Sequence, residues 1–337
     1  MPDLPSSNSA CEGSRNRGVA VSASIRLCIA LCAMALLQHR VAVSAEPETA
    51  AATSVDRHIT VGGRERGYRL HLPPMVDRAK PRPLVLVFHG GGGDPDSAER
   101  LTRFSELADR EGFIAAYPAG VAKNWNDGRE NPYSGAFRDR VDDVAFVSAL
   151  LDALAGELKL DPARIYATGI SNGAIFVNYL AVGLSSRIAA IAPVAGSIAV
   201  PFDARFAPAQ PVSVLMINGT EDPLVPYQGG GVARGRRGQV IGVEQAVQKW
   251  AVANGCSGVP RSSALTDVDP ADGCRGISLT WTDCRDGAAV VLYRLEGSGH
   301  AWPGGAQYLP DFIIGKVCRD VDATAAIWQF FLAHPKP

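Results

Sequence analysis

The chain has 337 residues, long enough for one large domain or two small ones. Its composition, 47% hydrophobic and 20% charged, suits a soluble globular protein with a sizeable core. The formal net charge of −1 removes any electrostatic case for nucleic acid as a partner.

Residues 1–45 read as a secretion signal. Arg15, Arg17 and Arg26 precede an apolar run from Leu27 to Leu37, which is too short to span a bilayer. Val43-Ser44-Ala45 then fits cleavage after Ala45, so no stable membrane association is expected afterwards, and the protein is expected to be secreted or periplasmic. Cys11, Cys28 and Cys32 leave with the signal. Cys256, Cys274, Cys284 and Cys318 remain, and in an exported protein they read as disulfides, with every pairing open. No C-x-x-C spacing occurs among them, so no metal site is expected.

Residues 46–55, rich in Ala, Thr and Glu, read as a disordered linker, and 56–337 as the catalytic domain. His58 to Leu72 alternates around Gly62-Gly63, as an edge hairpin does. Leu84 to Phe88 is a continuous apolar run, as expected of a buried central strand, and His89-Gly90-Gly91-Gly92-Gly93-Asp94 follows it. A helix over Ser97–Glu111 and a strand over Phe113–Tyr117 come next. Pro118 to Arg140 has no clean period, which marks a functional loop or a lid. Helical spacing returns over Val141–Leu158, with Asp142 and Asp143 as caps. A strand over Arg164–Thr168 and a helix over Gly173–Leu184 flank Gly169-Ile170-Ser171-Asn172-Gly173. Strands follow over Ile188–Val194 and Val212–Ile217, the latter leading into Gly219-Thr220-Glu221-Asp222-Pro223. Gly229–Gly238, carrying Arg234, Arg236 and Arg237, reads as a mobile solvated loop. A helix over Val243–Asn254, a cysteine-pinned excursion over Cys256–Gly276, strands over Ile277–Thr282 and Val290–Leu295, and a helix over Asp322–Leu332 complete the chain. Alternating strands and helices predict a mostly parallel sheet covered on both faces, in a single domain of the α/β class.

The G-x-S-x-G turn holds Ser171 on a tight strand-to-helix corner. A serine hydroxyl needs a base, and the base needs an orienting carboxylate. His300 sits in a glycine-rich loop after a late core strand. His58 and His71 lie in the first hairpin, His89 precedes the glycine run, and His334 lies near the end. Asp222 follows a core strand and fits the carboxylate better than Glu221 or Asp203. The resulting order, Ser171, Asp222, His300, each at the carboxyl end of a strand, is that of the α/β-hydrolase fold. The oxyanion donors are expected to be the N–H groups of Asn172 and of Gly91, with Gly92 as its neighbouring alternative. The glycine run is not read as a dinucleotide loop, because the next strand ends in Pro118-Ala119 without the acidic residue that a ribose needs. Trp125 and Trp302, beside these residues, are expected to form a flat apolar wall for substrate.

His89-Gly90-Gly91-Gly92, Asn124-Trp125-Asn126-Asp127-Gly128-Arg129, Val141-Asp142-Asp143-Val144, Gly169-Ile170-Ser171-Asn172-Gly173, Gly219-Thr220-Glu221-Asp222-Pro223, Asn254-Gly255-Cys256 and Gly299-His300-Ala301-Trp302-Pro303-Gly304 carry a resemblance. Together they make the chain similar to the secreted poly(3-hydroxybutyrate) depolymerase and bacterial feruloyl esterase family, from about residue 84 to 333. The resemblance implies a triad of Ser171, Asp222 and His300, oxyanion donors Gly91 and Asn172, and a Cys256–Cys284 disulfide. Cys274 and Cys318 lie outside the pattern. If they pair, they tie the excursion to the loop after Ile314 and narrow the site.

The expected activity is that of a serine carboxylesterase working through an acyl-enzyme without a cofactor. Its substrate is expected to be a small-molecule or polymeric ester: aryl esters on plant polysaccharide, or hydroxyalkanoate esters. The absence of an appended polymer-binding domain favours soluble esters or oligomers. A non-catalytic glycan-binding relative is the alternative of another class, against which the intact Ser, Asp and His argue. The absence of a long apolar lid helix argues against an interfacial lipase.

Overall fold

The structure, a computed structural model, describes residues 53–74 and 80–337. The expected signal at 1–45 and most of the expected linker therefore lie outside the described residues. The linker's last residues do not belong to a linker. Strand β1 (Thr53–Val61) pairs antiparallel with β2 (Arg64–Leu72) from its first residue, Thr53 opposite Leu72 and Val55 opposite Leu70. Backbone pairing along the whole of β2 overrides the Ala/Thr-rich composition there.

The other strands are β3 (Arg82–Phe88), β4 (Ile114–Pro118), β5 (Leu160–Ile170), β6 (Ala190–Val194), β7 (Ser213–Gly219), the short β8 (Gly230–Gly231) and β9 (Gln239–Val240), β10 (Arg261–Ala264), β11 (Arg275–Trp281) and β12 (Val290–Glu296). The helices are α1 (Pro95–Thr102), α2 (Phe104–Glu111), α3 (Gly135–Arg138), α4 (Asp143–Glu157), α5 (Asn172–Gly183), α6 (Val200–Asp203), α7 (Val243–Ala253), α8 (Asp311–Ile314) and α9 (Ala323–Ala333). The main sheet runs β1-β2-β4-β3-β5-β6-β7-β12-β11-β10. It is parallel from β4 to β12 and antiparallel at both margins. This is the α/β-hydrolase architecture.

Strand β3 shows why its sequence lacks alternation. Leu84, Leu86 and Phe88 point into one core and Val85 and Val87 into the other, so both faces of the pleat are apolar. The first core receives Phe146 and Leu150 of α4, Ile175 and Phe176 of α5, and Val247 and Trp250 of α7. The second receives Phe104 and Leu107 of α2 and Ile327, Trp328 and Phe331 of α9. Each such side chain taken fully out of water contributes about 1.5–3 kcal/mol. The sheet's carboxyl edge therefore rests on two packed layers, which hold the loops that follow β3, β5, β7 and β12.

The single helix expected over Ser97–Glu111 is two. Arg103 adopts φ 56°, ending α1 and opening α2. At the break the Thr102 carbonyl accepts from the distant Thr324 Oγ1 at 2.5 Å, and Thr102 Oγ1 donates within α1 to the Ala98 carbonyl at 2.7 Å.

Candidate active site

Ser171 stands between β5 and α5 with φ 58° and ψ −119°. A non-glycine residue held there costs on the order of 1–3 kcal/mol, and the surrounding packing has to impose it. The flanking glycines make that packing possible. A Cβ on Gly173 would lie 2.3 Å from the Phe88 carbonyl oxygen, and one on Gly169 would lie 2.6 Å from it. The turn is thus pressed against the end of β3. Ser171 N donates to the Val194 carbonyl at 3.0 Å, and the Ser171 carbonyl accepts from Ile175 N at 2.9 Å. The serine Oγ has no partner among the described residues, and Ser171 lines a cleft of about 670 Å³.

The structure brings the histidine and the aspartate together. His300 Nδ1 and Asp222 Oδ2 are 2.7 Å apart, and both side chains are almost wholly buried. The other carboxylate oxygen, Oδ1, accepts from Leu224 N and Val225 N, each at 2.8 Å. An ionised carboxylate only accepts, so the imidazole proton sits on Nδ1 and leaves the Nε2 lone pair free. His300 lines the same cleft as Ser171. Its loop is braced: Gly299 N donates to the Lys316 carbonyl at 2.8 Å and Gly304 N to the Cys318 carbonyl at 2.9 Å. Tyr308 OH donates to the His300 carbonyl at 3.0 Å, and burial pushes that phenol up to about 12, so it stays a donor. The rivals for the carboxylate role are elsewhere: Glu221 is exposed, and Asp203 pairs with Lys249 at 2.8 Å.

The glycine run abuts the serine turn. A Cβ on Gly90 would lie 3.5 Å from Ser171 Cβ, and one on Gly91 would lie 3.6 Å from Asn172 Cβ. Gly92 N already donates to the Lys123 carbonyl at 2.8 Å, whereas the Gly91 N–H has no acceptor among the described residues. As the first residue of α5, Asn172 likewise has an N–H without a helical acceptor. His89 fixes the run from behind. Gly120 N donates to its Nε2 at 3.0 Å, so Nδ1 carries the proton and donates to the Gly90 carbonyl at 2.8 Å. Burial lowers the His89 pKa, which keeps the ring neutral.

The loop expected to be functional or a lid supplies Asn124 and Arg129 to the cleft and is tied to its neighbours by hydrogen bonds. Asp142 caps α4 through Ala145 N, but Asp143 does different work. It is buried, accepts from Arg66 Nη2 at 2.6 Å and from Asn126 N at 2.8 Å, and so ties the loop to β2. Burial pushes its carboxyl up, opposed by Arg66. Breaking such a pair from one side costs about 3–5 kcal/mol. The Asn172 side chain also serves this loop, donating to Asp127 Oδ2 at 2.6 Å and accepting from Trp125 N at 2.8 Å.

Trp125 and Trp302 do not form the expected substrate wall. Each is 1% exposed, and neither lines the cleft. Trp125 stacks on Phe176 with centroids 5.1 Å apart, meets Phe88 edge-on, and donates through Nε1 to the His89 carbonyl at 3.0 Å. Trp302 donates to Thr324 Oγ1 at 3.0 Å, the same hydroxyl that bonds the Thr102 carbonyl. Both indoles hold site loops from beneath, because burying a large ring with a satisfied N–H stabilises more than exposing it.

The walls come instead from residues to which the sequence assigned no place in the site: Leu101, Arg129, Leu224, Val232, Arg237 and Leu309 among them. The Gly229–Gly238 segment is accordingly not a free solvated loop. Ala233 N donates to the Leu224 carbonyl at 2.7 Å and Val232 N to the Gly238 carbonyl at 2.9 Å, which docks it beside the Asp222 turn. Nothing in its glycine- and arginine-rich composition signals that docking. A further cavity of about 570 Å³, lined by Pro162, Ala189, Ser213 and Lys336, opens where β6 and β7 begin and contains none of the proposed site residues.

Among the described residues two disulfides are formed, Cys256–Cys284 and Cys274–Cys318. The second does not line the cleft. It ties the start of β11 to the segment that braces the His300 loop. Cys274, Cys318 and Asp320 form the one cluster of potential metal ligands among the described residues, but its two sulfurs are bonded to each other. The disulfides fit an oxidising compartment. Among the described residues, no helix is long and apolar enough to cross a membrane.

The sequence model of the family described as esterase PHB depolymerase matches residues 66–225. The chain is 32% identical over 294 residues to the esterase-named protein NocK of Nocardia uniformis subsp. tsuyamanensis, covering 83% of each. It is 30% identical over 230 residues to feruloyl esterase B of Piromyces equi, covering 66% of this chain and 40% of that one. To feruloyl esterase C of Emericella nidulans it is 24% identical, covering 81% and 85%. Among solved structures, acetyl xylan esterase from Aspergillus awamori superposes with TM-score 0.54 at 14% identity, over 73% of this chain and 94% of that one, a likeness of fold. With the geometry above, these matches show that the chain belongs to the esterase PHB depolymerase family and is a carboxylic-ester hydrolase.

Proposed function

We propose that the protein is a secreted serine esterase in which Ser171, His300 and Asp222 form the catalytic triad. The carrying observation is the buried Asp222–His300 pair, whose His300 lines the same cleft as Ser171, a serine whose Oγ has no partner among the described residues. Ser171 Oγ attacks the ester carbonyl while His300 Nε2 takes its proton, and Asp222 holds Nδ1–H and stabilises the imidazolium. The carbonyl oxygen becomes an oxyanion held by the N–H groups of Gly91 and Asn172. His300 then protonates the departing alcohol. Water, deprotonated by the same nitrogen, releases the acid and restores the serine. No cofactor or metal enters the scheme.

For the substrate, we favour aryl esters of the feruloyl type on plant polysaccharide. Relatives named feruloyl esterase support this choice, as does a cleft whose apolar walls include Leu101, Ile170, Leu224 and Leu309. Hydroxyalkanoate esters are the second reading, supported by the family's description. Export is supported by the paired cysteines and by the signal-like sequence of residues 1–45. The test is Ser171→Ala on p-nitrophenyl acetate, followed by the parent on methyl ferulate, acetylated xylan and 3-hydroxybutyrate oligomers. A Ser171→Ala protein that matches the parent rate overturns the mechanism. The substrate panel decides between the two ester classes.

A further inference from the structure

The cleft carries an unbalanced positive charge. Its lining includes Arg100, Arg129 and Arg237 and no carboxylate. Two of these cations are neutralised. Arg129 pairs with Asp127, with Nη2 at 2.7 Å and Nε at 2.8 Å from Oδ2, and Arg100 pairs with Asp96 one helical turn away. The Arg237 side chain has no hydrogen bond and no ion pair among the described residues. Its guanidinium lies beside the glycine run: a Cβ built on Gly91 would lie 3.7 Å from Arg237 Nη1.

Backbone bonds hold the loop that carries it. Arg237 N donates to the Val232 carbonyl at 3.1 Å, and Val232 N takes the Gly238 carbonyl at 2.9 Å. Ala233 N reaches the Leu224 carbonyl at 2.7 Å, and Leu224 N is held by Asp222 Oδ1 at 2.8 Å. Gly238 lies close against Arg129, where a Cβ would meet the Arg129 carbonyl at 2.8 Å. The cation is thus carried on a hairpin fastened to the same turn that supplies the triad carboxylate. A guanidinium without a partner among the described residues, beside Gly91 in a cleft lined by no carboxylate, suits a planar anion that it can bind through two parallel N–H bonds.

We infer that Arg237 is a specificity-determining residue that selects esters bearing a free carboxylate. This rests on the esterase reading above and names the substrate class within it. The carboxylate has two possible sources, the acyl part or the alcohol part of the ester, and the shared chemistry is an ester with an anionic end close to the scissile bond.

The experiment uses matched acid and amide pairs at neutral pH, where the acid is ionised and its amide is a neutral isostere. For the acyl side the pair is mono-4-nitrophenyl glutarate and its primary amide. For the alcohol side it is 3-acetoxybutyrate and 3-acetoxybutyramide, followed by acetate release. The parent is expected to prefer the acid in one pair, and added KCl is expected to shrink that preference, because Arg237 is exposed and its charge is screened. In Arg237→Gln the acid-to-amide ratio of kcat/KM falls about tenfold, carried by KM, the size expected of one charge-assisted contact at an exposed site. Arg237→Lys retains most of the ratio, whereas Arg236→Gln, on the same loop but outside the cleft lining, does not move it. Parent protein that turns over both members of each pair without preferring the acid overturns the assignment and leaves the esterase reading standing. So does an Arg237→Gln variant whose acid and amide rates fall by the same factor, which would place Arg237 at the oxyanion or in the loop's fold. Failure of the parent to turn over any of these esters, with no fluorophosphonate adduct on Ser171, overturns the esterase reading and the assignment with it.

Discussion

Replacing Asp222 by Asn tests the site at its electrostatic centre. In the parent, Asp222 Oδ1 accepts two backbone N–H groups, from Leu224 and Val225, while Oδ2 faces His300 Nδ1 at 2.7 Å. The Asn carboxamide has only one accepting atom. The two amides claim it, because a carboxamide NH₂ facing them would leave both buried donors unpaired. The NH₂ therefore turns toward His300, and Nδ1 has to present its lone pair. The imidazole proton moves to Nε2, which then cannot take the serine's proton. A tautomer reversal of this kind costs about 10⁴-fold in kcat, or about 5 kcal/mol of activation free energy. The fold keeps both backbone bonds and the packing, so the midpoint of thermal unfolding is expected to stay within about 3 °C of the parent. The assay is steady-state hydrolysis of p-nitrophenyl acetate, paired with near-ultraviolet circular dichroism to show the variant is folded. A folded Asp222→Asn protein within about tenfold of the parent rate would refute the reasoning.

Trp125→Ala is expected to cost about 3–5 kcal/mol in urea unfolding, because it empties the space between Phe88 and Phe176; parent-like stability would restore Trp125 as a surface wall. Cys274→Ser with Cys318→Ser opens a loop of 44 residues, worth about 4 kcal/mol in chain entropy, and should lower kcat more than Cys256→Ser with Cys284→Ser, since it alone frees the segment bracing His300; equal rates in the two double variants would count against this. His89 has a folded pKa depressed by burial, so the unfolded chain takes up the proton first, near pH 6.5. Its contribution to stability is full above that pH and is lost as pH falls below it, so the difference in unfolding midpoint between the parent and His89→Gln should narrow from pH 7 to pH 5.

Sequence periodicity located the strands and helices of the sheet well, because their apolar patterns report burial directly. Leu84 to Phe88 is apolar throughout because both its faces are covered, and Ser171, Asp222 and His300 fall where strands end. Other features depend on contacts distant in the chain. Thr324, more than two hundred residues away, bonds the Thr102 carbonyl where the helix breaks. Asp143 looks like a cap from its neighbours, yet it is a buried anchor because Arg66 of β2 meets it. The two tryptophans lie next to site residues in sequence and beneath them in space, a distinction that adjacency does not carry. The Arg237 loop reads as solvated by composition, and only its bonds to Leu224 and within the hairpin bring it to the cleft. Sequence thus marked the residues proposed to do chemistry, while the walls that would choose a substrate emerged from the fold.

The proposed mechanism turns on Ser171 as a nucleophile activated by the Asp222–His300 pair. The most direct measurement is intact-mass analysis after treatment with a fluorophosphonate, followed by peptide mapping, on the parent, Ser171→Ala and Asp222→Asn proteins. One adduct is expected on the parent, mapped to Ser171, none on Ser171→Ala, and labelling of Asp222→Asn slowed by several orders of magnitude. Active parent protein that takes no label at Ser171, or a Ser171→Ala protein labelled at the parent rate, would contradict it.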